Sequence, residues 1–323
     1  MKYALLSDIH SNMHALDACL AHAQAQGAER LLILGDLVSY GAFPADVVAR
    51  CQALQKAGAI VLRGNHEELI QTHSINTHNP NPSLGSQTAE WTHNQLSPAQ
   101  RFWLETLPLT ERVGSMFLVH ASADAPTRWR YVDDERTAAL SLDAASAHPD
   151  VRYVFGGHVH HQSLYYRGTG RQLMAFKPTA GVPIPTPQHR HWIATVGSVG
   201  QPRDGNPRAM YTLFDDVACK LTFHRVAYDH RAAAQSVREA GLPEYSIEFW
   251  YGIFVPAATP APVVKKIYEA AQWAMGQPNV KAALAREGTD VELSRSPEQF
   301  AAFLQEDAKF WVKLVKSAGV KLD

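Results

Sequence analysis

Aspartate, asparagine and histidine recur in five short segments of this chain. They are Ser7-Asp8-Ile9-His10, the run LGDLVSYG from Leu34 to Gly41, RGNHE from Arg63 to Glu67, Leu118-Val119-His120, and GGHVH from Gly156 to His160. The first four follow apolar, β-prone runs, and the last follows Tyr153-Val154-Phe155. Strand ends of one sheet meet at one edge, so these side chains are predicted to gather there. Hard oxygen donors mixed with imidazoles, with no cysteine among them, suit two divalent ions bridged by a shared carboxylate. Asp36 is the best placed bridge. Asp8 and His10 alternate along one strand end and face one side of it. Asn65 offers an amide oxygen, and His120, His158 and His160 complete two shells. Such a centre supports in-line attack on phosphorus without a covalent enzyme intermediate. His66 is not needed as a ligand and is expected to hydrogen-bond a phosphoryl oxygen or protonate the leaving group. Arg63 is a candidate phosphate contact, with a structural ion pair as an equal alternative. Glu67 reads as a cap or pair at a helix start. The other histidines, His22 and His224 among them, lack this context and read as surface or core residues.

The elements that must position these residues follow from hydrophobic patterning. Strands are predicted at Lys2 to Ser7, Leu31 to Leu34 and Ile60 to Leu62, with helices at Met13 to Gln26 and Pro44 to about Lys56 between them. This βαβαβ opening sets the polar motifs just beyond each strand. A loop is expected over Asn76 to Gly85, then helices near Ser86 to Leu96 and Pro98 to Thr106. A single strand ends at His120, and a helix covers about Asp134 to Ala147. The second half reads as mostly β, with short strands at Val151 to Phe155, Ser163 to Tyr166, Trp192 to Val196, Met210 to Phe214 and Lys220 to Val226. Lys177 to His191 carries four prolines and reads as a rigid surface loop near the site mouth. A helix near His230 to Ala240 stops at Gly241. Beyond it a strand at Phe249 to Val255 precedes helices at about Ala261 to Met275, Pro278 to Arg286 and Pro297 to Ser317. The last bears an apolar stripe of Phe300, Phe303, Leu304, Trp311, Leu314 and Val315.

Bulk properties bound the class. The 323 residues suffice for one large domain or two ordinary ones, and 46% hydrophobic content predicts a sizeable core. Thirty Lys+Arg against 31 Asp+Glu leave a formal charge of -1. That balance argues against a broad nucleic-acid face, so nucleic acid is disfavoured as a partner and a nuclease reading ranks low. The three scattered cysteines, Cys19, Cys51 and Cys219, read as reduced core residues. No secretory signal and no membrane-length apolar run is visible, so the expected location is cytoplasmic, without membrane association.

The motifs DxH, GDLVxxG, GNHE, the lone strand-end His and GHVH resemble those of the calcineurin-like metallophosphoesterase superfamily. Val196 to Tyr211 is similar to the tail signature of its small bacterial predicted-phosphoesterase branch. The resemblance runs from Met1 to about Tyr245. It implies an α/β fold, a β-sandwich of two mixed sheets flanked by helices. It also implies that Asp8, His10, Asp36 and His160 hold one metal while Asp36, Asn65, His120 and His158 hold the other. Serine/threonine phosphatases and diadenosine tetraphosphatases of the superfamily carry an acidic or amide residue and then Arg where this chain has Ser39 and Tyr40. The charged phosphate clamp is therefore missing, which weakens both substrate assignments. Gln201, Arg203 and Asp204 are candidate replacement contacts, with a turn network under the metal loops as their alternative role. From about Tyr245 onward the chain resembles the end of Bug-type tripartite tricarboxylate solute receptors. Only about the last quarter of such a receptor is present, so 246–323 reads as a fused, mostly helical appendage.

These observations predict a dinuclear metal-dependent phosphoesterase over residues 1–245. It hydrolyses a phosphodiester, nucleotide or small phosphomonoester by attack of metal-bound hydroxide, with Mn, Fe, Ni or Zn as the two ions. The rival readings are a non-catalytic scaffold that kept the fold and, from the tail alone, a solute receptor. A homo-oligomer formed through the C-terminal segment is a further expectation.

Overall fold

The computed structural model describes residues 1–72, 84–168, 173–242, 252–286 and 293–317. In chain order its elements are β1 (Lys2–Leu6), α1 (Met13–Ala25), β2 (Arg30–Ile33), α2 (Pro44–Lys56), β3 (Ile60–Val61), α3 (Asn65–Thr72), α4 (Leu84–Gln95), α5 (Pro98–Thr106), β4 (Thr110–Val113), β5 (Met116–Val119) and α6 (Glu135–Ala145). There follow β6 (Tyr153–Gly156), β7 (Gln162–Arg167), β8 (Leu173–Phe176), β9 (Ile184–Pro185), β10 (His191–Val196), β11 (Ala209–Asp215), β12 (Lys220–Val226) and α7 (His230–Glu239). The last helices are α8 (Ala261–Gly276), α9 (Pro278–Arg286) and α10 (Pro297–Ser317).

Helix starts follow local chemistry. The Asn12 side chain caps α1 by accepting from Ala15 N at 3.1 Å. Pro44 and Pro98 sit in the first turns of α2 and α5, where a missing N–H costs nothing. Ser97 and Gln100 form a capping box on α5, and Asp134 with Thr137 forms one on α6. Gly27 follows α1 with φ +78°, a conformation that glycine adopts without a Cβ penalty.

The strands form two six-stranded mixed sheets, ordered β3-β2-β1-β11-β12-β9 and β4-β5-β6-β10-β7-β8. β1, β2 and β3 are parallel, and β11 joins β1 antiparallel. In the second sheet β5, β6 and β10 are parallel. Side-chain alternation divides the core. Tyr3 and Leu5 of β1 meet Leu118, Phe155, Trp192 and Phe223 between the sheets. Ala4 and Leu6 of the same strand face the outer helices with Leu16, Val47 and Val48. A third cluster packs Ala138 and Leu142 of α6 against the outside of the second sheet with Phe117 and Ile193. Each fully buried Leu or Phe contributes roughly 1.5–3 kcal/mol. The two mixed sheets with flanking helices are the α/β sandwich expected from the motifs.

Several expectations change. α3 occupies Asn65–Thr72, where only a helix start had been read. The single strand ending at His120 is a hairpin, because Gly114 at φ +55° turns the chain between β4 and β5. The strand β8 was not foreseen. The proline-rich segment is not at the site mouth. Its β9 pairs Pro185 with Lys220, and Lys220 lies in one row with Asp215 and Lys2. That row is at the start of β1, the end of the sheet opposite Asp8. The expected loop over Asn76 to Gly85 lies outside the described residues, apart from 84–85 in α4.

The chain divides into two units, Met1–Ile247 and Glu248–Asp323. Within the second unit Phe254 and Phe300 have ring centroids 5.9 Å apart, and Phe300 and Phe303 stack at 6.3 Å. The expected strand at Phe249 to Val255 is not found. Residues 249–251 lie outside the described set, and 252–255 carry no regular structure. No other strand occurs among the described residues of this unit to pair with it. The side chains of Leu314 and Val315 also lie outside the described set. Among the described residues, no helix is long and apolar enough to cross a membrane.

Candidate metal centre

The candidate site lies beyond the ends of β1, β2, β3, β5 and β6. Asp8, His10, Asp36, His120, His158 and His160 are all buried. Asp8, His10, Asp36, His158 and His160 have φ between 49° and 69°, a left-handed conformation that such residues seldom adopt. Each costs on the order of 1–3 kcal/mol and persists only where surrounding bonds over-determine it. Those bonds are present. Asp8 N donates to Gly35 O at 3.0 Å, His10 N to Asp36 O at 3.0 Å, and Gly200 N to Asp8 O at 2.9 Å. The carboxylate of Glu67 accepts the N–H groups of Asp36, Leu37 and Gly64 at 2.9, 2.8 and 2.6 Å. A side chain on Gly64 would collide with the Asp36 carboxylate, and one on Gly157 with Ser7 and Asp8.

The donor atoms converge in two groups. On one side Asp8 Oδ1 lies 3.2 Å from His160 Nε2, which lies 3.2 Å from His10 Nε2. His10 Nε2 is in turn 3.8 Å from Asp36 Oδ2. On the other side His120 Nε2 lies 3.3 Å from Asp36 Oδ2 and 3.1 Å from Asn65 Oδ1. His158 offers a nitrogen to the group of Asp36 and His120. Asp36 is common to both groups. Donors held by one ion at about 2.1 Å sit about 3.0–3.4 Å apart, so these spacings, the 3.8 Å between His10 and Asp36 excepted, fit cation shells.

Protonation supports the same fit. A carbonyl only accepts, so each imidazole that meets one must donate to it. His10 Nδ1 donates to Val38 O at 3.1 Å and His120 Nδ1 to Leu34 O at 2.9 Å. His158 Nε2 donates to Trp129 O at 2.8 Å and His160 Nδ1 to Gln201 O at 2.6 Å. A neutral ring then turns its other nitrogen, a lone pair, toward the cluster. Lone pairs of His10 and His160 facing each other at 3.2 Å repel unless a cation lies between them. Burial opposes protonation of His120, but the carboxylates of Asp36 and Asp8 outweigh it and raise its pKa to about 9. The same negative field favours a divalent ion that displaces the proton. Burial, then the charge of Asp36, pushes Glu67 up to about 7. Burial, with His120 nearby, holds His158 down at about 4.

His66 differs from these four rings. It is buried, its backbone N–H donates to Asp36 Oδ1 at 2.8 Å, and its Nδ1 has no hydrogen-bond partner among the described residues. Its ring packs on His10 at 4.9 Å and on Tyr40 at 4.8 Å. A nitrogen of His66 also comes within reach of His10 and Asp36. The missing carbonyl partner separates it from the rings whose tautomers are fixed. Arg63 and Arg203 each bond to a group outside the donor cluster. Arg63 Nη1 donates to Glu105 O at 3.3 Å, and Arg203 pairs with the Gln201 side chain at 2.9 Å. The segment after β10 braces the site instead. Ser198 Oγ donates to Asp8 O at 2.8 Å and accepts from Gln201 N at 2.8 Å. Sequence reasoning missed the carbonyls of Leu34, Val38, Trp129 and Gln201 that orient the rings. Every residue has a carbonyl, so no residue type could flag them.

Residues 1–162 match the calcineurin-like phosphoesterase family. Residues 221–320 match the tripartite tricarboxylate transporter family receptor, a match that begins within β12 rather than near Tyr245. The chain is similar to a metallophosphoesterase from Sphaerobacter thermophilus. The two are 33% identical over 76% of this chain and 95% of that one, with a TM-score of 0.64. An uncharacterized protein of Methanocaldococcus jannaschii is 28% identical over 247 residues, 75% of this chain and 94% of that one. A hypothetical protein from Pyrococcus horikoshii OT3, 20% identical, covers 75% of this chain and 94% of its own at a TM-score of 0.60, a likeness of fold.

Proposed function

The chain belongs to the calcineurin-like phosphoesterase family and is a metal-dependent phosphoesterase; from that premise we propose a dinuclear centre that hydrolyses small phosphodiesters or nucleotides, with small phosphomonoesters as weaker substrates. Asp8, His10, Asp36 and His160 hold one ion, and Asp36, Asn65, His120 and His158 hold the other. The observation that carries this reading is the set of four imidazoles tied by one nitrogen to a backbone carbonyl, each with the other nitrogen turned inward. When bound, two divalent ions supply Lewis acidity to the phosphoryl oxygens and acidify a water for attack on phosphorus.

This chain's residues supply the rest. Leu34, Val38, Trp129 and Gln201 fix the ring tautomers through their carbonyls. Glu67 holds the loop that carries Asp36. His66 donates an N–H to a phosphoryl oxygen or to the leaving oxygen. As water oxygen bonds to phosphorus, the ester P–O bond breaks, its electron pair goes to the leaving oxygen, and that oxygen takes up a proton. Ser39 and Tyr40 place a hydroxyl and an aromatic ring where a cationic clamp would favour a dianionic monoester. The intact donor set speaks against a non-catalytic scaffold.

The test is metal analysis joined to a phosphoester panel, with Mn²⁺, Fe²⁺, Ni²⁺ and Zn²⁺ compared, since affinity order alone does not identify the native ion. An activated aryl phosphodiester and a cyclic nucleotide should outperform a phosphopeptide and diadenosine tetraphosphate. A preference of roughly tenfold or more for the phosphopeptide would overturn the substrate assignment.

A further inference from the structure

A cavity of about 230 Å³ opens beside His10, on the side of the site away from His120 and His158. Its walls include Tyr40, Phe43, Tyr228, Ala233 and Val237. Among the described residues none that lines it is Lys, Arg, Asp or Glu, and its titratable lining residues are His10, Tyr40, Tyr228 and His230. Asn12, the lining residue at the start of α1, already spends its Nδ2 on Gly200 O at 3.0 Å and Tyr228 Oη at 3.2 Å, which fixes the Tyr228 wall. Tyr40 links the cavity to the site. Its ring lies 4.8 Å from both His10 and His66, and it is held there at φ 64° beside Ser39 at φ 73°. Two strained residues in succession position one aromatic ring at the boundary between donor cluster and cavity.

Building on the phosphoesterase reading, we propose that this cavity is the subsite for a planar, uncharged aromatic ring carried by the phosphoester. Its volume lies below the roughly 300–1,000 Å³ of pockets that enclose whole ligands. One ring fits it, and a peptide or a second nucleotide does not. Aromatic and small aliphatic walls favour a flat apolar face. With no Lys or Arg among its described lining residues, the cavity disfavours a second phosphate. The position beside His10 puts the ring a short stem away from a phosphoryl group at the centre.

The test uses the full chain loaded with Mn²⁺ and non-reacting probes whose binding is read by calorimetry. Phenylphosphonate and methylphosphonate share a head group and differ in the ring. The expected result is at least tenfold tighter binding of phenylphosphonate. Ala233→Trp fills the cavity and should bring that ratio to about threefold or less. Phe43→Ala removes a wall and should lower the ratio as well, which keeps the test decisive if the first variant does not fold. The non-hydrolysable 5′-phosphonate analogue of adenosine monophosphate, compared with that of ribose 5-phosphate, distinguishes a nucleobase from an aryl source, because a nucleobase subsite shows the larger ratio in this pair. Ratios below about twofold in both pairs, or a phenyl preference unchanged in the folded variants, would overturn the subsite. If inorganic phosphate binds while the ring ratios fail, only the subsite falls. If inorganic phosphate does not bind, the dinuclear reading falls and the subsite with it.

Discussion

Glu67 accepts the backbone N–H of Asp36 at 2.9 Å, and through Leu37 and Gly64 it ties the loops after β2 and β3 to one carboxylate. Both of its oxygens face only donors. In Glu67→Gln one of them becomes an NH₂ group opposed to a backbone N–H. Losing a buried partner of this kind costs about 1–3 kcal/mol. The variant should melt several degrees lower and bind metal roughly 10–100-fold more weakly, because the Asp36 loop loses its support. Thermal melts with and without Mn²⁺ check both effects. An unchanged metal affinity would remove Glu67 from the machinery that positions Asp36.

Asp36 is the carboxylate common to both donor groups. Asp36→Asn keeps the size of the side chain but removes the charge that the proposed centre shares between two ions. Occupancy of both ions and nearly all turnover should be lost together. Normal rates with two metals bound in this variant would refute the bridging role.

His66 should behave differently. Its Nδ1 has no carbonyl partner, unlike the four rings assigned as ligands. His66→Ala should retain both metals while losing on the order of 10²–10⁴-fold in rate. Metal content by elemental analysis separates the two roles. A variant that loses an ion would make His66 a ligand.

The clustering of these donors was legible from sequence because strand-end placement and donor chemistry both show in residue type. Asp8, Asp36, Asn65 and His120 each follow a buried strand whose apolar run is continuous. The sandwich was not legible from these runs alone, since a strand buried on both faces does not reveal which sheet it joins. The motif resemblance supplied it. Of α3 only the start was read, at Glu67, because GNHE reads first as a strand-end motif and does not show how far the helix from Asn65 extends. The hairpin before His120 hinged on one backbone angle at Gly114. Arg63 and Arg203 read as phosphate contacts by charge. Arg63 Nη1 donates to Glu105 O, a partner distant in sequence, and Arg203 donates to the Gln201 side chain, in keeping with the turn network that was its alternative role.

His224 should give the protein a pH dependence separate from the metal centre. Burial, then the neighbouring His22 ring at 5.1 Å, lowers its pKa to about 4, and it stacks on Tyr211 at 4.8 Å. In the unfolded chain it titrates near 6.5. Between these values the unfolded state binds more protons, so stability falls as pH falls. The contribution is complete above about pH 6.5 and gone below about pH 4. His224→Phe keeps the stacked ring and removes the titration. Its Tm should drop less than that of the parent between pH 7 and pH 5, by roughly 3–6 °C. Equal drops in the two proteins would show that His224 is not held neutral.

The C-terminal unit should be dispensable for chemistry. Every proposed metal ligand, His66 and every residue of the ring cavity lie within Met1–Ile247, and the last proposed metal ligand in the chain is His160. β12 and α7 must be kept, although the receptor-like match begins at residue 221. β12 pairs with β11 from Ala209↔Val226 to Asp215↔Lys220. α7 supplies Ala233 and Val237 to the cavity wall. A chain ending after Ile247 should therefore keep its metal content and its kcat, whereas one ending before Lys220 should not fold. In the full chain Phe303 and Trp311 of α10 are each 36% exposed. Complete burial of such side chains contributes roughly 1.5–3 kcal/mol each, and covering the part still exposed would favour association through this helix. The shortened protein should then show a smaller oligomer by light scattering if α10 mediates pairing of copies. Full metal content with no turnover in the shortened protein would instead mean that the C-terminal unit shapes the site, and would refute its assignment as an appendage.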